Sequence, residues 1–238
     1  MQLLQNFELV SWKLPPKWQI VLTANPDGGD YSVTPIDDAM LTRMLHISME
    51  FDVKDWAKWA EENDVDARGI NFALMHPEVI DGERTTPRSL VQFLETIRNI
   101  QDLQKELIMV KLLADSCLGK AASDAFVNHV RLKVDQYLDP EQLLASTDFE
   151  KEIIPVLEGL KTVGAISALC NRLVSWSSKS DYKLTDLAIE NLKKIILAEI
   201  LPSELKVMLV QDLGKTKKTK LKNLTTDPEI GQLLLNHL

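Results

Sequence analysis

From Leu90 onward the apolar residues recur at helical spacing. Leu90, Phe93, Leu94 and Ile97 lie three and four residues apart, as do Leu107, Val110, Leu113 and Ala114, the period of one buried helix face. Ile153 to Trp176 and Leu184 to Ile200 read as two long amphipathic helices. Start signals punctuate the series: Asp139-Pro140-Glu141-Gln142, Pro202-Ser203-Glu204-Leu205, and Thr226-Asp227-Pro228-Glu229 before a last helix ending at Leu238. Upstream, Asp52 to Trp59 begins a helix with Val53, Trp56, Ala57 and Ala60 on one face. A second runs through Ile70, Phe72, Ala73 and Leu74 and stops before Pro77. Thr85 or Thr86 can cap a third, with Pro87 in its first turn. No repeat marks a solenoid.

The N-terminal fifty residues follow another pattern. Ile20, Val21 and Leu22 form an apolar run followed by Thr23 and Ala24, which predicts a buried strand in a parallel sheet. That strand ends on Asn25-Pro26, where open α/β sheets place active-site groups. Asp27-Gly28-Gly29-Asp30 predicts a turn. Pro35 and the acidic Asp37-Asp38 open a short helix that carries Met40, Leu41 and Met44 inward and leaves Arg43 near its end. His46 to Phe51 alternates and predicts the next strand. Before all this, Met1 to Gln5 is helical in pattern and Phe7, Leu9 and Ser11 alternate. Leu14-Pro15-Pro16-Lys17-Trp18 makes a turn, with Trp12 and Trp18 expected to pack around it rather than to stack on a ligand.

The succession of strand-Asn, Gly-containing loop, short helix with Arg, and strand resembles the second half of an AAA+ ATPase core of the MoxR-like branch. The matching pieces are Asn25-Pro26, the loop Asp27-Gly28-Gly29-Asp30-Tyr31, and Thr42-Arg43-Met44. Thr42 and Met44 stand where that family carries Asp and Phe. Trp56-Ala57-Lys58-Trp59-Ala60 and Met75-His76-Pro77-Glu78 resemble the start of the family's lid, and Gly119, Ala122 and Phe126 match its Gly-x-x-Ala-x-x-x-Phe segment. Thr86-Pro87-Arg88 resembles the lid's sensor-2 motif. A cation in a first helical turn opposes the helix dipole, so helix stability does not account for Arg88. The resemblance implies Asn25 as sensor 1, Arg43 as an arginine finger and Arg88 as the residue that reaches nucleotide phosphates. The bland readings are an Asn capping its turn, an Arg43 paired with Asp38 or Glu50, and a surface Arg88 beside Arg84.

Composition narrows the classes. The 238-residue chain has formal net charge −8, so bulk electrostatics do not make it a nucleic-acid or anionic-membrane binder. Lys215, Lys217, Lys218, Lys220 and Lys222 form one basic cluster, read as a solvated loop, with a contact to an acidic partner or nucleic acid as the alternative. Cys117 and Cys170 read as buried free thiols of a reducing cytoplasm. No apolar run reaches transmembrane length and the start lacks a signal-peptide pattern, so a soluble cytoplasmic protein is expected. The four histidines share no metal spacing with the cysteines, and no metal site is expected. Gly214-Lys215-Thr216 is not a phosphate loop, because Leu209 stands where that motif needs Gly.

No Gly-x-x-x-x-Gly-Lys-Ser/Thr occurs, and no apolar strand ending in Asp-Glu precedes Asn25. An AAA+ site needs the first to hold phosphates and the second to place Mg²⁺ and water. The expectation is therefore a mainly α chain. Residues 1–51 would be the C-terminal portion of an AAA+ α/β subdomain with a few strands, 52–134 a helical lid, and 135–238 an additional helical region. The resemblance implies a partial ATP hydrolase module, a fragment or degenerate relative. It would contribute sensors and finger to a ring-type homo-oligomer that remodels a protein client with ATP and Mg²⁺, neither binding this chain tightly by itself. The rival class is a non-catalytic helical interaction module derived from such an ATPase.

Overall fold

A computed structural model describes residues 2–24, 38–80, 84–132 and 139–235. The chain divides between Glu50 and Phe51 into two units. It is mainly helical, and the two short strands among the described residues lie near the N-terminus, as the sequence implied.

In the first unit, α1 (Gln2–Asn6) leads into β1 (Glu8–Leu9) and β2 (Trp12–Lys13). The strands pair antiparallel with Glu8 opposite Lys13 and Leu9 opposite Trp12. Their two-residue turn holds Val10 at φ 55, the positive φ that tight hairpin turns require, and a Lys13–Glu8 ion pair of 2.8 Å spans the strands. A short helix, α2 (Asp38–Leu41), follows. The expected strands at Ile20–Ala24 and His46–Phe51 are absent: both described stretches are irregular. Val21 is 81% and Leu22 55% exposed, so this apolar run lines no sheet. A strand forms only where a neighbour supplies its hydrogen-bond ladder, and no other strand pairs with either stretch among the described residues. Trp12 and Trp18 are exposed as well, which corrects their assignment as packing residues.

The second unit is a helical assembly. It begins with α3 (Val53–Glu62), capped by Asp52 accepting from the Asp55 amide, and α4 (Ala67–Met75), capped by Asp66. A 3₁₀ turn at Pro77–Val79 precedes α5 (Pro87–Ile97), α6 (Leu107–Cys117) and α7 (Lys120–Arg131). After residue 138 come α8 (Pro140–Ala145), a π turn at Phe149–Ile153 and α9 (Ile154–Gly159). The series closes with α10 (Val163–Ser178), α11 (Asp186–Leu197), α12 (Ser203–Gly214), α13 (Thr219–Thr225) and α14 (Pro228–Leu235).

The expected single helix from Ile153 to Trp176 is divided. Pro155 has no amide to close a bond onto the Lys151 carbonyl, and the Ile154 amide reaches back to Phe149 O instead, widening the turn. Leu160 then leaves helical geometry, and Thr162 caps a fresh start by accepting from the Ala165 amide.

Helix α10 is the hub, packing against α3, α4, α8 and α12, so residues on both sides of 133–138 share one core. Leu169, Cys170 and Leu173 of α10 are buried with Ala57 and Ala60 of α3 and Ile70 of α4. Gly69 lets α4 and α5 approach closely: a Cβ there would lie 2.1 Å from Leu94 Cδ1. Through the same core runs one ion pair, Arg172 Nε to Glu61 Oε1 at 2.6 Å, with the two side chains 2% and 4% exposed. Arg172 Nη1 also donates to Asn71 Oδ1 at 2.7 Å and Ala67 O at 3.1 Å. One guanidinium thus joins three helices, and the paired opposite charges offset a burial that would be costly for either alone.

Candidate functional site

The residues from Arg84 to Ser89 form the best-built site that the sequence singled out. Thr86 caps α5, its hydroxyl accepting from the Ser89 amide at 3.1 Å, while the Thr86 amide donates to Ser89 Oγ at 2.9 Å. This reciprocal box has Ser89 in place of the usual Glu or Gln, and Pro87 sits in the first turn. Ser89 Oγ additionally donates to Arg84 O at 2.9 Å. Thr85, buried, accepts from the Gly119 amide at 2.9 Å, which fastens the segment to the start of α7. Arg84 Nη2 donates to the Asp115 and Ser116 carbonyls at 3.0 and 3.2 Å, a cation at the negative end of α6.

Arg88 is exposed on this clamped segment. No described residue pairs with its guanidinium. It stands in the first turn of α5, where the helix end is itself positive, so the two together favour an anion over any neighbouring cation. Sequence reasoning singled out Arg88 and its Thr86–Pro87 helix start, but not the Ser89 half of the box or the Thr85–Gly119 bond. The functional weight of Thr85 and Gly119 shows only once α5 and α7 are brought together, because 34 residues separate the two partners.

Arg43 lies in the turn after α2, exposed, with Nη1 donating to the Ala39 carbonyl. Nearby, Thr42 Oγ1 donates to the same carbonyl at 3.3 Å, and His46 Nε2 meets Leu41 O at 2.8 Å. Asn25 lies outside the described residues, as do Pro26 to Asp37, and with them the loop assigned by resemblance. Arg43 and Arg88 belong to different units.

The basic cluster is largely engaged with the chain itself. Lys215 pairs with Asp212 at 2.8 Å and Lys220 with Asp186 at 2.7 Å. Lys218 Nζ donates to Lys179 O and Tyr182 O, both at 2.6 Å, and burial holds its pKa below the usual lysine value. Lys217 and Lys222 are exposed. The solvated reading fits Lys215, Lys217, Lys220 and Lys222, all exposed, and fails at Lys218, whose ammonium is spent on two carbonyls.

Among the described residues no group of three His, Cys, Asp or Glu could hold a metal. Cys117 and Cys170 are free, and burial pushes the Cys170 thiol up to about 12, which keeps it from acting as a thiolate. No helix among the described residues is long and apolar enough to cross a membrane. No protein-family model, curated protein or solved structure matches this chain.

Proposed function

We propose that this chain is the sensing and trans-acting part of a MoxR-like AAA+ ATPase, working in an oligomer that uses ATP hydrolysis to remodel a protein client. One observation carries the reading. Thr86-Pro87-Arg88 is a capped helix start that leaves the exposed Arg88 guanidinium at the positive end of α5. Asn25-Pro26 and Arg43 precede it in the order the family uses. In this reading Arg88 binds phosphate oxygens and reports on the nucleotide. Arg43 enters the site of a neighbouring subunit, where its charge offsets what develops during phosphoryl transfer, and Asn25 orients the attacking water. Such groups tune a site whose phosphate loop and acidic pair come from elsewhere.

The test is a mixed assembly in which another subunit supplies the phosphate loop and the acidic pair. Arg43→Ala should leave nucleotide binding nearly intact and suppress phosphate release, by up to about 10³–10⁵ as for other arginine fingers. Arg88→Ala should weaken nucleotide affinity. Full turnover in the Arg43→Ala assembly would overturn the reading. The isolated chain should bind ATP–Mg²⁺ poorly, and low-micromolar affinity by titration calorimetry would point to another phosphate site.

A second reading, a non-catalytic interaction module, is favoured by the lack of any phosphate-loop motif in 238 residues. It predicts co-assembly with a partner that is indifferent to Arg43→Ala and Arg88→Ala alike.

A further inference from the structure

A cleft of about 540 Å³ opens between the π turn with α9 on one side and the C-terminal end of α11 on the other. Its floor is apolar: Phe149 and Ile154, one wide turn apart, face Leu197 and Ile200. The Ile154 amide bonds to Phe149 O across this wide turn. Ile200 is exposed, and the other three are only partly covered.

The rim is acidic. Glu150, Glu158 and Glu199 line it and are exposed, and none forms an ion pair among the described residues. Glu152 of the same turn is different, since its carboxylate accepts from Ser146 Oγ at 2.6 Å. Lys194 is the one cation in the lining, and it is already matched by Glu190 of its own helix at 2.7 Å. Its ammonium sits 5.7 Å from the centre of the Phe149 ring, so this aromatic face already accommodates a cation. The negative end of the α11 dipole also meets the cleft, adding to the rim's potential.

We propose that this cleft docks a basic amphipathic segment of a partner protein, its Lys or Arg side chains meeting the three rim carboxylates while flanking aliphatic side chains cover the floor. Charge complementarity selects this occupant. Phosphate backbones would be repelled by the rim. A second copy is disfavoured because the molecule carries net charge −8, so two copies repel, and Lys218 of its basic cluster is spent on internal carbonyls. Rim carboxylates of this kind steer and orient a cationic ligand, and the apolar floor supplies the affinity.

The probe is a fluorescein-labelled peptide of leucine and lysine at helical spacing, with its leucine–glutamate counterpart as control, titrated with the full chain by fluorescence anisotropy. Saturable one-to-one binding of the lysine peptide is expected, with none of the glutamate peptide. The triple variant Glu150→Gln, Glu158→Gln, Glu199→Gln should bind about tenfold more weakly, three rim charges each contributing modestly. Ile200→Ser, at an exposed position, should also weaken binding while leaving the thermal melt close to that of the parent. A variant with the same charge change elsewhere, Asp55→Asn, Glu78→Gln, Glu95→Gln, should bind like the parent. Equal weakening in both triple variants would reduce the effect to bulk charge and overturn the proposal. So would the absence of saturable binding, or sedimentation showing that the cleft is covered by a second copy.

Discussion

Gly119 donates its amide to Thr85 Oγ1 at 2.9 Å, and a Cβ on Gly119 would come within 3.1 Å of the same oxygen. The glycine is therefore fitted to this contact: its φ of −67° is open to any residue, but the space beside it is not. Thr85→Val keeps the shape and removes the acceptor. It should cost about 1 kcal/mol by urea denaturation, because a partly buried amide loses its partner. Arg88→Ala, at an exposed position with no partner among the described residues, should stay within about 0.5 kcal/mol. A loss of more than that for Arg88→Ala would mean that the guanidinium holds the fold together.

The Arg172–Glu61 pair predicts a large loss and a pH signature. Arg172→Met should destabilise by about 3–5 kcal/mol, leaving a carboxylate buried without its counter-ion. Burial already holds the Glu61 pKa above its ordinary 4.5, opposed by Arg172. Removing that guanidinium should raise it further. The folded state then binds more protons than the unfolded state from about pH 4.5 up to the raised value, so stability falls as pH rises through that window. Measured relative to the parent, the Arg172→Met protein should lose less stability at about pH 5 than at about pH 8. Adding Glu61→Gln should remove the difference, and a flat profile in the single variant would contradict this account.

His76 predicts the opposite slope. Its ring meets that of His129 edge-on at 5.7 Å between centroids, and burial, then the neighbouring His129, lower its pKa below 6.5. The unfolded chain takes up the proton first, so stability is fully present above about pH 6.5 and declines as pH falls toward the depressed folded value. His76→Gln should flatten the stability profile between about pH 5 and 7. Hydrogen exchange or chemical denaturation at several pH values would read it, and an unchanged slope would exclude His76 as the cause.

Lys218 is expected to behave as a structural residue despite its place in the basic cluster. Lys218→Met should cost about 1–3 kcal/mol, because the Lys179 and Tyr182 carbonyls lose a shared charged donor. Lys217→Met and Lys222→Met should each lie within about 0.5 kcal/mol of the parent. Thermal melts of the three variants side by side decide it, and equal shifts would put the whole cluster in solvent.

The sequence by itself determined the helices of the second unit, because their information is local. Asp52, Thr86 and Asp139 each cap a helix start, Pro87, Pro140 and Pro228 sit in first turns, and the three-and-four spacing of Leu90, Phe93, Leu94 and Ile97 names a buried face. It also singled out Arg88, whose place in a first turn runs against the dipole. Other features were decided only in three dimensions. The apolar run at Ile20–Leu22 reads as a strand, yet a strand exists only beside a partner, and none pairs with it among the described residues. The break between α9 and α10 turned on the departure of Leu160 from helical geometry and the cap at Thr162. Thr85 acquired its role from Gly119, Lys218 from the Lys179–Tyr182 carbonyls, and Arg172 from Glu61, 111 positions away. A hydrogen bond or ion pair between distant residues leaves no periodic trace in the sequence, so only the packing of α3, α4 and α10 made that pair legible.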